Sequence, residues 1–269
     1  MNIPFDLHTH CTLSFDGVSS AEEMVRRAVE LGVEYYALTD HVDLGGHADP
    51  DFDLEATVNG AKEQIPALRL KYEGKTELLY GVELGQAVHE PEKAEALLKE
   101  NAYDFVIGSI HNIRGYDDFY FLDLTQYDPV ELLNIYFREL LETAEQGYFD
   151  VMAHITYPLR YIVGEYGINV DLSRWSVITD EIFRTLVRND RGIEINTSGL
   201  RQKLGRTMPD AELVRRYREL GGRILTIGSD AHRTEDLGKG IETGISIARD
   251  CGFTEIAVFR DRSPHFIEI

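Results

Sequence analysis

The chain has 269 residues, 43% hydrophobic and 28% charged, with 23 glycines and 8 prolines; this excludes a disordered polymer and allows one barrel-sized core or two small ones. A formal charge of −20 sets an overall field that repels long anionic polymers, so no nucleic-acid partner is expected. Two cysteines, Cys11 and Cys251, make no disulfide framework. With no basic leader before an apolar run and no uncharged stretch of membrane-spanning length, the expectation is a cytoplasmic chain without membrane contact.

Residues 3–7 read as a first strand that runs into His8-Thr9-His10. On extended backbone, side chains at i and i+2 share a side, so the two histidines can meet one metal ion while Thr9 faces away. Ser19-Ser20-Ala21-Glu22-Glu23 supplies a helix cap with an acidic first turn, and Met24, Val25, Ala28, Val29 and Leu31 follow at helical spacing as far as Gly32. Residues 33–39 read as a second strand. A helix is predicted over 53–72, with Pro66 expected to kink or divide it. A third strand (78–84), a helix (92–101) and a fourth strand (105–110) follow. Pro129 suits a first helical position, and Gly147 closes the helix that it begins. Residues 151–153 form a short apolar strand. Then come a helix (173–189), a sixth strand (192–195), a helix (210–220), a seventh strand (223–227) and a last helix (235–251). Residues 255–260 fit either an eighth strand or an extended cover.

Strand and helix alternate without a linker, a repeat or a low-complexity segment, and the strands are apolar throughout rather than alternating. That pattern predicts one α/β domain over 1–269 with a parallel sheet. At or just after the carboxyl end of six strands stand ligand-type residues: His8 and His10, Asp40-His41, Glu83, His111, His154, and Asp230 with His232. Each alone has an ordinary reading: Asp40 in a turn, Glu83 paired with an arginine, His154 bonded to backbone. Their recurrence favours a shared site. A closed barrel gathers all strand ends on one face, whereas an open sheet would spread them. Asp230-Ala231-His232 repeats the spacing of His8 and His10 at the far end of the chain, and the first and last strands of a closed barrel are neighbours. Imidazoles with carboxylates suit Zn, Mn or Fe, in number enough for two or three divalent ions. His47 reads as a loop residue, and His89 and His265 are set aside.

Taken in order, His8-Thr9-His10, Ser14-Phe15-Asp16-Gly17, Thr39-Asp40-His41, Gly81-Val82-Glu83, Gly108-Ser109-Ile110-His111, His154 and Gly228-Ser229-Asp230-Ala231-His232 resemble the motifs of the polymerase and histidinol phosphatase (PHP) superfamily. Gly108 to His111, Asn196-Thr197-Ser198-Gly199 and the length resemble most its stand-alone histidinol-phosphatases. The resemblance implies a distorted (β/α)7 TIM-like barrel with its metal site at the C-terminal face of the strands. It implies three metals: His8, His10, Glu83 and Asp230 on one, Glu83 bridging to a second held by His111 and His154, and Asp16, His41 and His232 on a third. Many relatives carry histidine where this chain has Asp16. Without the resemblance, Asp16-Gly17 reads as a turn.

Hydrolysis of a phosphomonoester needs a nucleophile and neutralisation of phosphoryl charge, and paired divalent ions supply both. On the resemblance, Glu83, Asp230 and His232 are the catalytic residues and the substrate is L-histidinol phosphate. Arg160 and Arg201 follow strand ends and are candidates for binding its phosphate, with Arg114 a weaker one; surface ion pairs are the alternative for each. Carboxylates, or aromatics near residues 116–120, are candidates for the amine and imidazole. A phosphotyrosine or nucleotide substrate, an amidohydrolase and a non-catalytic metal-binding module stay open, and the oligomeric state is unassigned.

Overall fold

The computed structural model describes residues 3–45 and 53–269. Strand β1 (Phe5–Asp6) is followed by α1 (Ala21–Leu31), β2 (Tyr35–Leu38), β3 (His41–Asp43), α2 (Leu54–Lys71), β4 (Glu77–Gly85), α3 (Pro91–Glu100), β5 (Phe105–Ser109) and α4 (Pro129–Gln146). The second half adds β6 (Val151–Met152), α5 (Ser176–Arg188), β7 (Gly192–Asn196), α6 (Ala211–Glu219), β8 (Leu225–Gly228), α7 (Ile241–Asp250), β9 (Glu255–Arg260) and β10 (Ser263–Glu268). The helix signals act as their chemistry requires. Ser20 and Glu23 form a reciprocal capping box on α1 and Gly32 ends it with left-handed backbone; Asp128 caps α4 by accepting from Val130 N, and Gly147 ends it in the same left-handed way.

Seven parallel strands run in the order β1-β2-β4-β5-β6-β7-β8, and β3 resumes the line of β2 by pairing with the second half of β4, His41 opposite Glu83. The barrel closes beyond the ends of β1 and β8. There Thr9 bridges Ala231, and backbone bonds of 2.8 Å run from Asp230 N to His8 O and from His10 N to Ala231 O. The buried carboxylate of Asp6 ties the same seam, accepting from Ser229 N, Ser229 Oγ and Gly238 N. Between strands and helices lies an apolar layer that includes Met24 and Val25 of α1, Tyr136 and Phe137 of α4, and Ile182 and Phe183 of α5. Burying each such side chain stabilises by about 1.5–3 kcal/mol.

Several elements differ from the sequence reading. Pro66 does not divide α2, which runs on as one helix with Ile65 and Leu68 buried on either side of the proline. The helix at 173–189 starts as a 3-10 turn, Leu172–Trp175, before α5. Of the helix over 235–251 only α7 forms, because Gly238 and Gly240 take left-handed backbone (φ +78° and +83°). The tail is neither an eighth barrel strand nor a single extended cover: β9 and β10 make a separate antiparallel hairpin. It packs Phe259 on Phe105 at 5.0 Å and pairs Arg260 with Glu77, both at the amino-terminal ends of barrel strands. The carboxyl ends are left to the functional site. Among the described residues no helix is long and apolar enough to cross a membrane.

Candidate metal centre

At those carboxyl ends the strands deliver the residues singled out in the sequence. His8 and His10 leave β1 on extended backbone and turn their Nε2 atoms to within 3.1 Å of each other. Glu83, inside β4 and fully buried, is the hub. Its Oε2 lies 3.2 Å from His8 Nε2, 3.4 Å from His10 Nε2 and 3.1 Å from His41 Nδ1. Its Oε1 lies 3.1 Å from His111 Nε2 and 2.8 Å from His154 Nε2. Asp230, at φ +56°, points Oδ1 toward His10 Nε2 at 3.5 Å and toward His8 Nε2 at 4.0 Å. Asp16 brings one oxygen to 3.0 Å from His232 Nε2 and the other to 3.7 Å from His41 Nε2. The rings of His41 and His232 both stack on His10 at 4.2 Å.

Eight of these nine residues fall into groups that could hold divalent metal ions; Asp16, expected to complete a third set, joins none of the groups and meets the cluster through His232 and His41. Four groups present donor atoms within 4.8 Å of one another: His8, His10 and Asp230; His8, Glu83 and His154; His41, Glu83 and His111; and His10, His41 and His232. Glu83 belongs to two of them, as a bridging carboxylate would. His41 Nδ1 and His232 Nε2 sit 3.1 and 3.0 Å from carboxylate oxygens, yet neither makes an aligned hydrogen bond. Donors that converge on a point without bonding each other suit a cation between them. The titration directions record the same crowding. Burial alone would raise the Glu83 carboxyl, but His8, His41 and His111 together hold it well below the usual range. Burial, and then the adjacent His232 and His41, push His10 down to about 3. His8 and His111 are buried too, but their carboxylate neighbours raise them well above the ordinary histidine value.

A further ring of residues fixes the far nitrogens. Glu194 Oε1 takes His8 Nδ1 at 2.6 Å, and its Oε2 accepts from the backbone N of His154 at 3.1 Å. Asp43 Oδ2 lies 3.1 Å from His111 Nδ1. His10 Nδ1 meets Ser14 Oγ, which donates to Asp40 Oδ1 at 2.7 Å. Imidazoles held in this way present one tautomer and one ring orientation. The sequence reading missed Glu194, although it is the one ionisable residue in the otherwise apolar run of β7, a position that needs a partner to be buried at all.

The arginines separate. Arg160 begins a turn of π-helix, Arg160–Glu165, and its Nη2 reaches Asp230 Oδ2 at 3.0 Å and Ser198 Oγ at 2.7 Å, facing the cavity. Arg201, the other candidate for the phosphate, binds the carbonyls of Ser229 and Asp230 at 2.8 and 3.3 Å and is not among the residues that line the cavity. Arg114 is far off, on Glu142 and the Val88 carbonyl. His89 pairs with Glu139 away from the cluster, and His265 lies on β10. His47 lies outside the described residues. The cavity over the cluster has a volume of about 600 Å³ and is walled on its outer side by Phe15, Asp118, Tyr120, Phe121, Tyr157 and Tyr161.

The PHP domain family matches residues 6–198, well over half of the sequence. The chain belongs to the PHP domain family. The matched segment ends before Asp230 and His232, which the barrel closure returns to the same cluster. Among PHP relatives, a Thermotoga maritima protein named probable histidinol-phosphatase is 30% identical over 256 residues, covering 94% of each chain. The histidinol-phosphatase of Lactococcus lactis is 24% identical, covering 94% of this chain and 93% of its own. The crystal structure of a Lactococcus lactis histidinol phosphate phosphatase with zinc, L-histidinol and phosphate superposes with a TM-score of 0.85 at 23% identity, over 98% of this chain and all of that one. That likeness establishes the fold as the expected α/β barrel.

Proposed function

We propose that the chain is a metal-dependent phosphomonoesterase that hydrolyses L-histidinol phosphate to L-histidinol and phosphate, with all of 1–269 working as one barrel unit in the cytoplasm. The observation that carries this reading is the doubly approached Glu83, with imidazoles on both of its oxygens and Arg160 a few ångströms away across Asp230. The names of the relatives, and the zinc, L-histidinol and phosphate in the related crystal structure, support the substrate.

We assign His8, His10, Glu83 and Asp230 to one ion, Glu83, His111 and His154 to a second, and Asp16, His41 and His232 to a third. Divalent ions held there would lower the pKa of a bound water and offset the charge on the phosphoryl oxygens. The protein's own contribution is geometry. Asp230 has one oxygen toward the imidazoles and the other on Arg160, Ser198 and Asn196, so the phosphate-binding guanidinium is held at a fixed offset from the ligands. Arg160 is further pinned over the Tyr157 ring at 5.0 Å. A planar fork in that place suits two phosphoryl oxygens. Arg201 keeps the backbone of Ser229 and Asp230 in place and so acts through Asp230 rather than on the phosphate.

The test is phosphate release from L-histidinol phosphate, p-nitrophenyl phosphate, a phosphotyrosine peptide and nucleotides, using metal-stripped protein resupplied with Zn, Mn or Fe. Metal-restored preference for L-histidinol phosphate, lost by at least about a hundredfold in His10→Ala, is the expected result. Tight metal binding without cleavage of any ester would defeat the reading.

A further inference from the structure

The cavity over the metal centre has two chemically opposite ends. Five carboxylates line it, and four of them are engaged: Asp16 with His232, Glu83 with its ring of imidazoles, Asp230 with Arg160, and Glu165 with Lys203. The fifth is Asp118. Its Oδ1 accepts from Tyr120 N at 2.7 Å and from Tyr157 Oη at 3.0 Å, while its Oδ2 accepts no hydrogen bond, and the carboxylate pairs with no lysine, arginine or histidine among the described residues. The side chain is therefore oriented by two donors but held in no direct ion pair. A partly desolvated carboxylate without a cation carries an uncompensated cost, which a cationic ligand relieves.

Its distance from the chemistry is set by one side chain. The Tyr157 ring packs 5.0 Å from His111 and 5.2 Å from His154, and its hydroxyl ends on Asp118 and on Tyr161 Oη. Asp118 thus stands one tyrosine length from the second ion's imidazoles. Beside it, Tyr120 and Phe121 present rings that are 67% and 55% exposed. Exposed aromatic faces next to a carboxylate receive a flat or cationic group.

We propose that Asp118 is a specificity-determining residue that binds the protonated amine or imidazolium at the far end of the leaving group, with Tyr120 and Phe121 covering it. This inference rests on the phosphomonoesterase reading of the same site. It makes the substrate class a short phosphate monoester with a cation on its alcohol.

The experiment compares the metal-loaded full chain with Asp118→Asn, which keeps the acceptor oxygen for Tyr120 N and Tyr157 Oη and removes only the charge. Substrates are L-histidinol phosphate and 3-aminopropyl phosphate, each with a cation, and propyl phosphate and p-nitrophenyl phosphate, each without one; metal content is measured alongside. For the cationic pair, KM rises about tenfold in the variant with kcat little changed, while the neutral pair and the metal content stay as in the wild type. Equal losses on all four esters, or no loss on any, overturn the assignment. If the variant does not fold, the unaltered protein decides: 3-aminopropyl phosphate must have a KM about tenfold below that of propyl phosphate, and no preference counts against the proposal. Cleavage of no ester at all overturns both readings, whereas cleavage without preference for a cation overturns only this one.

Discussion

Glu194 shows how much a single buried carboxylate decides. It binds the outer nitrogen of His8 with one oxygen and the backbone N of His154 and Asn196 Nδ2 with the other, so it steers two of the imidazoles around Glu83 from one position. In Glu194→Gln one of these faces must receive an NH2 group where a donor already points. The expected outcome is a 10- to 100-fold loss of metal affinity, roughly, with unchanged far-ultraviolet circular dichroism, measured by titrating zinc into stripped protein. Wild-type affinity in that variant would show that His8 is oriented by its other neighbours alone. The proposed ligands other than Asp16 were legible because each stands at or just after the end of an apolar run, where a histidine or acid is noticed as an exception to its surroundings; Asp16 was reached only through the resemblance. The residues that orient the ligands were not legible. Nothing in the sequence says which residue Asp43 or Glu194 will orient, since neither local spacing nor composition shows that a distant histidine will arrive beside them.

Among the elements, α2 gives the clearest test of local against tertiary preference. Pro66 is solvent-exposed inside an 18-residue helix, where it removes one main-chain hydrogen bond. The apolar stripe of Val58, Ala61, Ile65 and Leu68, seated on the barrel, outweighs that loss. Pro66→Ala returns an N–H able to reach the Lys62 carbonyl and should stabilise the protein by about 2 kcal/mol, after allowing for the stiffer unfolded chain that proline gives. Urea denaturation measures this; a lower midpoint would mean that the proline fits a bend on which the packing depends. The same balance explains the other boundaries. Helix starts with a side-chain cap and ends with a glycine were readable to within a residue or two. The break between β2 and β3 was not, because it depends on Asp40 turning inward to bind Cys11 N and Ser14 Oγ from another part of the chain.

For the molecule as a whole, the order of strands was visible in the alternation of apolar runs and amphipathic helices, and closure was visible in the paired His-x-His and Asp-x-His at the two ends. The hairpin at the amino-terminal mouth was not, since nothing in 255–268 says that it pairs with itself rather than with the barrel. Closure by few direct strand contacts makes the metal ions structural as well as chemical. Each ion bound only by the folded chain stabilises it by about 4 kcal/mol at a thousandfold excess over its dissociation constant. Stripping with a chelator should therefore lower the melting temperature substantially, and zinc or manganese should restore it, as read by calorimetry beside metal analysis. A melting temperature unmoved by complete removal would mean that the barrel holds its own seam.

The seam has one more consequence, and it concerns synthesis. His8 and His10 leave the ribosome well before their partners Asp230 and His232, which follow strand β8. The first four strands can pair as they appear, yet none of them can close a barrel or bring Asp230 to His8 and His10. A nascent chain therefore cannot trap metal early in its final arrangement. Loading waits until the chain has emerged past His232, and the metal it acquires is selected from whatever ions the surroundings then offer.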